Sequence, residues 1–166
     1  MIDLLGSDRV VDSIETLYSA HFADGVRLAY LLCGDRAAAE DIAQDAFVKV
    51  AARLRRVRDP DKFWAYLRTS ITRRVIDVAR SEQRRTDRHR QLARMGDTTH
   101  GPSSSDIDLI RAVAHLPPRQ KAMVVLRFWA DLSVPDIART LGCPAGTVKS
   151  GLARALDTLK EGVAQP

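Results

Sequence analysis

Thr147, Ser150 and Arg154 stand three and four residues apart, the repeat that brings side chains to one face of an α-helix. Two hydroxyls and a guanidinium in one row offer hydrogen-bonding chemistry rather than catalysis. Arg forks onto guanine, hydroxyls accept several base partners, and Lys149 on the flank suits a phosphate. Such a row reads bases only if a second element holds it against a groove, and the preceding residues supply one. Ser133 fits an N-cap, Pro135 falls in the first turn after it, and Ile137, Ala138 and Leu141 face inward at helical spacing. Gly142 suits the left-handed position that stops a helix, Pro144 cannot continue it, and the chain restarts at Ala145 and Gly146. Residues 131–156 therefore read as a helix-turn-helix, with Val148, Leu152, Ala155, Leu156 and Leu159 on the inward side of the second helix. A helical hairpin with a merely solvated face has the same spacing. The short turn, the small Ala138, Gly142 and the inward Val148 together favour the DNA reader.

Two further faces carry charge. In residues 36–56 the series Ile42, Ala43, Ala46, Phe47, Val50 and Leu54 projects to one side, and Asp41, Gln44, Asp45, Val48 and Ala52 to the other. Acids around an apolar Val suit docking onto a basic partner, because charge steers the approach and the apolar centre gives up its water. A solvated face with an incidental Val has the same pattern. The third face is basic: Tyr66, Thr69, Arg73, Arg80 and Arg84, continued by Arg85, Arg88, Arg90 and Arg94, opposed only by Asp77, Glu82 and Asp87. With Trp64 and Tyr66 interleaved, such an edge tracks phosphates while a ring stacks on an unpaired base. The bland counterpart is again a solvated helix, and Trp64 taken alone is more often core than platform.

Composition bounds these readings. The chain has 166 residues, 45% hydrophobic and 5% aromatic, with a net charge of +5 and a pI near 9.6. That favours two small helical domains with aliphatic cores and a polyanionic partner. Cys33 and Cys143 have no second Cys or His at metal-ligand distance and are expected to be reduced and structural. His21, His89, His100 and His115 are scattered, so no catalytic residue, metal site or cofactor is expected, and no small-molecule ligand. No run approaches a membrane span and none is expected to insert, which makes a cytoplasmic location the expectation.

The elements follow from periodicity. Residues 10–32 make one or two packed helices, with a polar interruption near Ala23 to Gly25; Gly34 ends them and Asp35 caps the next. After Asp59 and Pro60 comes a third helix with Phe63, Trp64, Leu67, Ile71, Val75 and Val78 as its buried stripe. Residues 94–105, rich in Gly, Pro and Ser, read as a flexible linker. Beyond it Pro117 and Pro118 open a helix carrying Met123, Val124, Leu126 and Phe128. The expected organisation is all-α: 1–93, a linker at 94–105, and 106–166.

These residues together resemble the extracytoplasmic function, or group four, sigma factors of the sigma-70 family, over residues 18–159. AEDIAQDAF (39–47) is similar to the family's polymerase-docking helix in region two, and FWAYLRTSITRRVIDVAR (63–80) to its promoter-melting segment. LPPRQKAMVVLRF with the helix-turn-helix is similar to region four. The resemblance implies bacterial core RNA polymerase and promoter DNA as partners, and leaves room for an anti-sigma factor. Asp41, Gln44, Asp45 and Val48 then meet the basic clamp helices of the polymerase large subunit. Residues 58–62, with Arg58, Asp59 and Lys62, form the loop that captures a flipped base of the −10 element. Trp64, Tyr66, Thr69, Arg73, Arg80 and Arg84 bind the melted strand. Thr147, Lys149, Ser150 and Arg154 read the −35 duplex, and the linker threads the RNA exit channel.

Three positions depart from the family pattern: Arg73 where Asn is common, Gly151 where Arg is usual, and Ala153 where a larger residue stands. The expectation is that Gly151 and Ala153 thin the −35 contacts, and that Gly151 is an unfavourable mid-helix glycine on the DNA flank whose replacement by Arg tightens binding. A conventional helix-turn-helix regulator that binds duplex DNA without polymerase stays open as the alternative. A nucleic-acid enzyme needs a nucleophile or a carboxylate cluster beside the basic face, and the nearest pair, Asp41 and Asp45, has no His partner.

Overall fold

Gly34 ends the first helix in the left-handed region, at φ 76°, and the Asp35 carboxylate accepts the Ala38 N–H at 2.7 Å. That is the expected N-cap, and it separates α1 (Leu5–Cys33) from α2 (Arg36–Leu54). The computed structural model describes residues 5–54, 62–90 and 112–164, with side chains for 14–53, 62–85 and 112–162. Every regular element among them is helical.

The chain divides into two compact units, Met1–Val75 and Ile76–Pro166. The division falls within α3 (Phe63–Arg90), which runs without a break through it; the expected linker, 94–105, lies outside the described residues.

In the first unit α1 is a single helix, and the polar interruption proves to be two things. Ala23 and Asp24 are exposed, while Gly25 is buried. A Cβ on Gly25 would stand 3.1 Å from Ile71 Cδ1 and 3.5 Å from Leu67 Cδ2, so the missing side chain lets α1 and α3 close on each other. Phe63, Leu67, Ile71 and Val75 form the buried stripe of α3. Trp64 and Val78, expected in that stripe, are half-buried at its margin. Leu28, Ala29 and Leu32 of α1 and Ile42, Ala43, Ala46, Phe47 and Val50 of α2 supply the rest of the core.

In the second unit Pro118 opens α4 (Pro118–Val124) as expected. The helix does not continue regularly: Val125–Trp129 is a π-helical turn, closed by the Ala130 N–H on Val125 O at 3.2 Å. Phe128, grouped with the apolar residues of that helix, is 63% exposed. α5 (Val134–Leu141) and α6 (Ala145–Ala164) follow. Leu116, Val124, Ala155 and Leu159 pack together, with Ala112, Val113 and Leu152 against them. Leu156, expected inward, is exposed, because one residue beyond Ala155 is a rotation of about 100° around the helix.

Candidate nucleic-acid interface

The α5–α6 pair is fixed by local bonds at each end. Ser133 is extended, at φ −67° and ψ 156°. Its hydroxyl oxygen accepts the Asp136 N–H at 3.3 Å and donates to Asp136 Oδ2 at 2.5 Å. Asp136 also pairs with Arg139. Gly142 takes the left-handed conformation, φ 61° and ψ 46°, and the Cys143 N–H returns to Ala138 O at 3.0 Å. Pro144 O then accepts the Thr147 and Val148 N–H groups at 3.0 and 3.3 Å, which starts α6. Two arginines that precede the pair brace the two ends of α5. Arg119 Nη2 donates to Leu141 O at 3.2 Å, and Arg127 Nη1 to Leu132 O at 2.8 Å. Arg119 lies 22 residues from its partner, a separation at which sequence spacing carries no signal.

On α6 the predicted row stands outward: Thr147, Lys149, Ser150 and Arg154 are all exposed, as is Ala153. Ser150 Oγ donates to Thr147 O at 3.1 Å, and Arg154 Nη2 reaches Ser150 Oγ at 3.5 Å. Hydroxyl and guanidinium therefore meet in one patch, suited to base edges.

Gly151 is not on that surface. It is buried, and a Cβ there would collide with Met123 Sδ and lie 3.1 Å from Met123 Cε. The glycine leaves room for Met123 of α4 rather than forfeiting a DNA contact, so the expected gain from Gly151→Arg is withdrawn. The signal was present: Val148, Gly151, Ala155 and Leu159 recur at three, four and four, the inward stripe itself.

Along α3, Lys62 immediately before the helix and Tyr66, Arg73, Arg80 and Arg84 on it are exposed, while Trp64 and Thr69 are half-buried. Thr69 Oγ1 donates to Ala65 O at 2.8 Å, and Arg84 Nε to Arg80 O at 3.2 Å. Arg58, Asp59 and Arg94 lie outside the described residues. Trp64 has a neighbour that sequence reasoning set aside: His21 of α1 stacks on it, with centroids 5.8 Å apart and planes 19° from parallel. On α2, Asp41, Gln44 and Asp45 are exposed and Val48 is 62% exposed, opposite the buried Ile42, Ala46 and Phe47.

Cys33 and Cys143 are free thiols. Among the described residues no three His, Cys, Asp or Glu side chains are grouped to hold a metal, and no helix is long and apolar enough to cross a membrane.

Comparison with known proteins adds to this geometry. Residues 17–85 match Sigma-70 region 2, and residues 106–159 match Sigma-70, region 4. The RNA polymerase sigma factor SigV of Bacillus subtilis is 30% identical over 148 residues, 87% of this chain and 87% of that protein. The ECF RNA polymerase sigma factor SigE of Mycolicibacterium smegmatis is 29% identical over 99% of this chain and 67% of its own length. Among solved structures, the sigma factor RpoE of Bartonella quintana, co-crystallised with the anti-sigma factor NepR, shares the fold. Its TM-score is 0.64 at 21% identity, covering 99% of each chain.

Proposed function

This chain belongs to the sigma-70 family as an extracytoplasmic function sigma factor of RNA polymerase, and from that premise we propose how its three faces divide the work of initiation. Its function is to direct core polymerase to promoters and start DNA-templated transcription. The acidic ridge Asp41, Gln44, Asp45 and Val48 docks on the basic clamp helices of the polymerase large subunit, the acids steering and Val48 excluding water at the centre. Residues 58–62 capture a flipped base of the −10 element. Trp64, Tyr66, Thr69, Arg73, Arg80 and Arg84 then hold the melted strand by stacking and phosphate contacts. Thr147, Ser150 and Arg154 read the −35 duplex in the major groove while Lys149 meets a phosphate.

The chain works as two functional domains, 1–93 and 106–166, joined by a linker at 94–105. It acts in the cytoplasm, by positioning polymerase rather than by catalysis of its own. The Bartonella RpoE was crystallised with an anti-sigma factor, and that class of partner extends to this chain.

Register is the observation that carries the division of labour. On α2 the residues assigned to a partner are exposed and Ile42, Ala43, Ala46 and Phe47 between them are buried; on α6 the assigned residues are likewise exposed, and Val148 and Gly151 between them are buried. The conventional duplex-binding regulator is not favoured, because it leaves the acidic ridge and the α3 edge without a task.

Transcription by purified core polymerase on sheared genomic DNA, with and without this protein, tests the reading. Discrete new start sites that depend on the protein are expected. Their absence, together with tight binding of the isolated protein to a palindromic duplex, would return the assignment to a conventional regulator.

A further inference from the structure

Phe63 and Trp64 are consecutive, so their side chains leave α3 about 100° apart, and one lies fully buried while the other is half-buried. A single ring from α1 reaches both. The His21 imidazole stands 5.6 Å from Phe63 at 27°, and 5.8 Å from Trp64 at 19°. Phe63 is held in turn by Phe47, edge to face at 5.2 Å, and Phe47 by Tyr18 at 5.1 Å and Phe22 at 6.3 Å. The series passes through the buried Phe47 and Phe63 and ends at an indole on the margin, in the first turn of the helix assigned to the melted strand.

We propose that His21 is a positioning residue for promoter opening: seated on Phe63, its ring sets the plane of Trp64 so that the indole meets an unstacked base without first losing rotamer freedom. The proposal rests on the −10 role assigned to Trp64. An indole half in solvent samples several χ1 and χ2 states, and a base that stacks on it must select one of them. A flat ring lying nearly parallel against it makes that selection in advance. An aliphatic side chain of similar volume fills the space but does not define a plane. His21 touches no DNA in this scheme and acts through Trp64.

The test uses holoenzyme assembled from core polymerase and the full chain, at a promoter located by start-site mapping. Trp64 and Trp129 are the two tryptophans, so a Trp129→Phe background makes Trp64 the single fluorophore. In that background His21→Leu is expected to slow opening, followed by permanganate reactivity of unpaired thymines, by about tenfold, the scale of one lost ring pair. Trp64 emission should also change in intensity and in accessibility to acrylamide. His21→Phe keeps a flat ring and is expected to restore opening to within about twofold. Capture by core polymerase and binding of −35 duplex should stay at the parent level in both.

Opening by His21→Leu at the parent rate overturns the proposal. So does His21→Phe opening as slowly as His21→Leu, since a ring of any kind should then suffice and does not. Trp64→Leu separates the two levels. If it opens promoters normally, the −10 role of Trp64 falls and the proposal with it. If it is slow while His21→Leu is not, only the positioning role of His21 falls.

Discussion

In the first unit six rings, Tyr18, His21, Phe22, Phe47, Phe63 and Trp64, meet in a continuous series with centroids 4.3 to 6.3 Å apart. The second unit has Phe128 and Trp129 as its whole complement of Phe, Trp and Tyr, and both are exposed. Its core is Leu, Val, Ile, Ala and Met, and its precision comes from helix caps at Ser133 and Gly142. The difference fits the work proposed for each unit. A duplex groove is met by hydrogen-bonding side chains on a rigid helix, so capping bonds that fix the helix are enough. An unpaired base is met by a plane, and planes are oriented by other planes.

Removing the centre of the ring series should have the largest effect. Phe63→Ala deletes a fully buried ring and is expected to cost about 3–5 kcal/mol, read as a lower denaturant midpoint. A loss below about 1 kcal/mol would mean that the rings do not carry the first unit.

A change outside both cores separates stability from docking. Asp41→Arg with Asp45→Arg reverses two exposed charges on α2. Like charges then face each other across the proposed clamp contact, and capture by core polymerase is expected to fall roughly a hundredfold with the melting temperature unchanged. Capture at the parent level would remove the ridge from the interface.

Gly151 sharpens the contrast from the aliphatic side. Gly151→Ala puts a Cβ against Sδ and Cε of Met123, the flexible end of that side chain, and the cost of moving it offsets a helix-propensity gain of about 1 kcal/mol. The single change should leave the melting temperature nearly unchanged. In a Met123→Ala background, with the obstructing sulfur gone, the same substitution should raise it instead. Equal effects in the two backgrounds would show that Gly151 and Met123 are not coupled.

A cap should give an effect of similar size. Ser133→Ala removes the acceptor for the Asp136 N–H and is expected to cost about 1 kcal/mol, with binding of −35 duplex weakened no more than the added unfolding explains. A much larger loss of binding at unchanged stability would place Ser133 on the DNA side of the turn.

What the sequence determined by itself is whatever is settled within one turn of chain. Asp35 and Ser133 cap because a side-chain oxygen reaches an N–H three residues on. Gly34 and Gly142 stop helices because they tolerate positive φ. Thr147, Ser150 and Arg154 share a face because 3.6 residues make a turn. Periodicity places a residue on a face but does not say what that face meets. By spacing alone Gly151 reads as a lost DNA contact and Gly25 as an interruption, whereas Met123 lies against the first and Ile71 against the second. Only the tertiary structure joins His21 to Trp64, because residues 43 apart become neighbours only when α1 and α3 pack. The same is true of Arg119 at the end of α5. Local rules wrote the helices and their exposed rows; packing at long sequence separation chose which glycines are spaces for a neighbour and which ring is held ready.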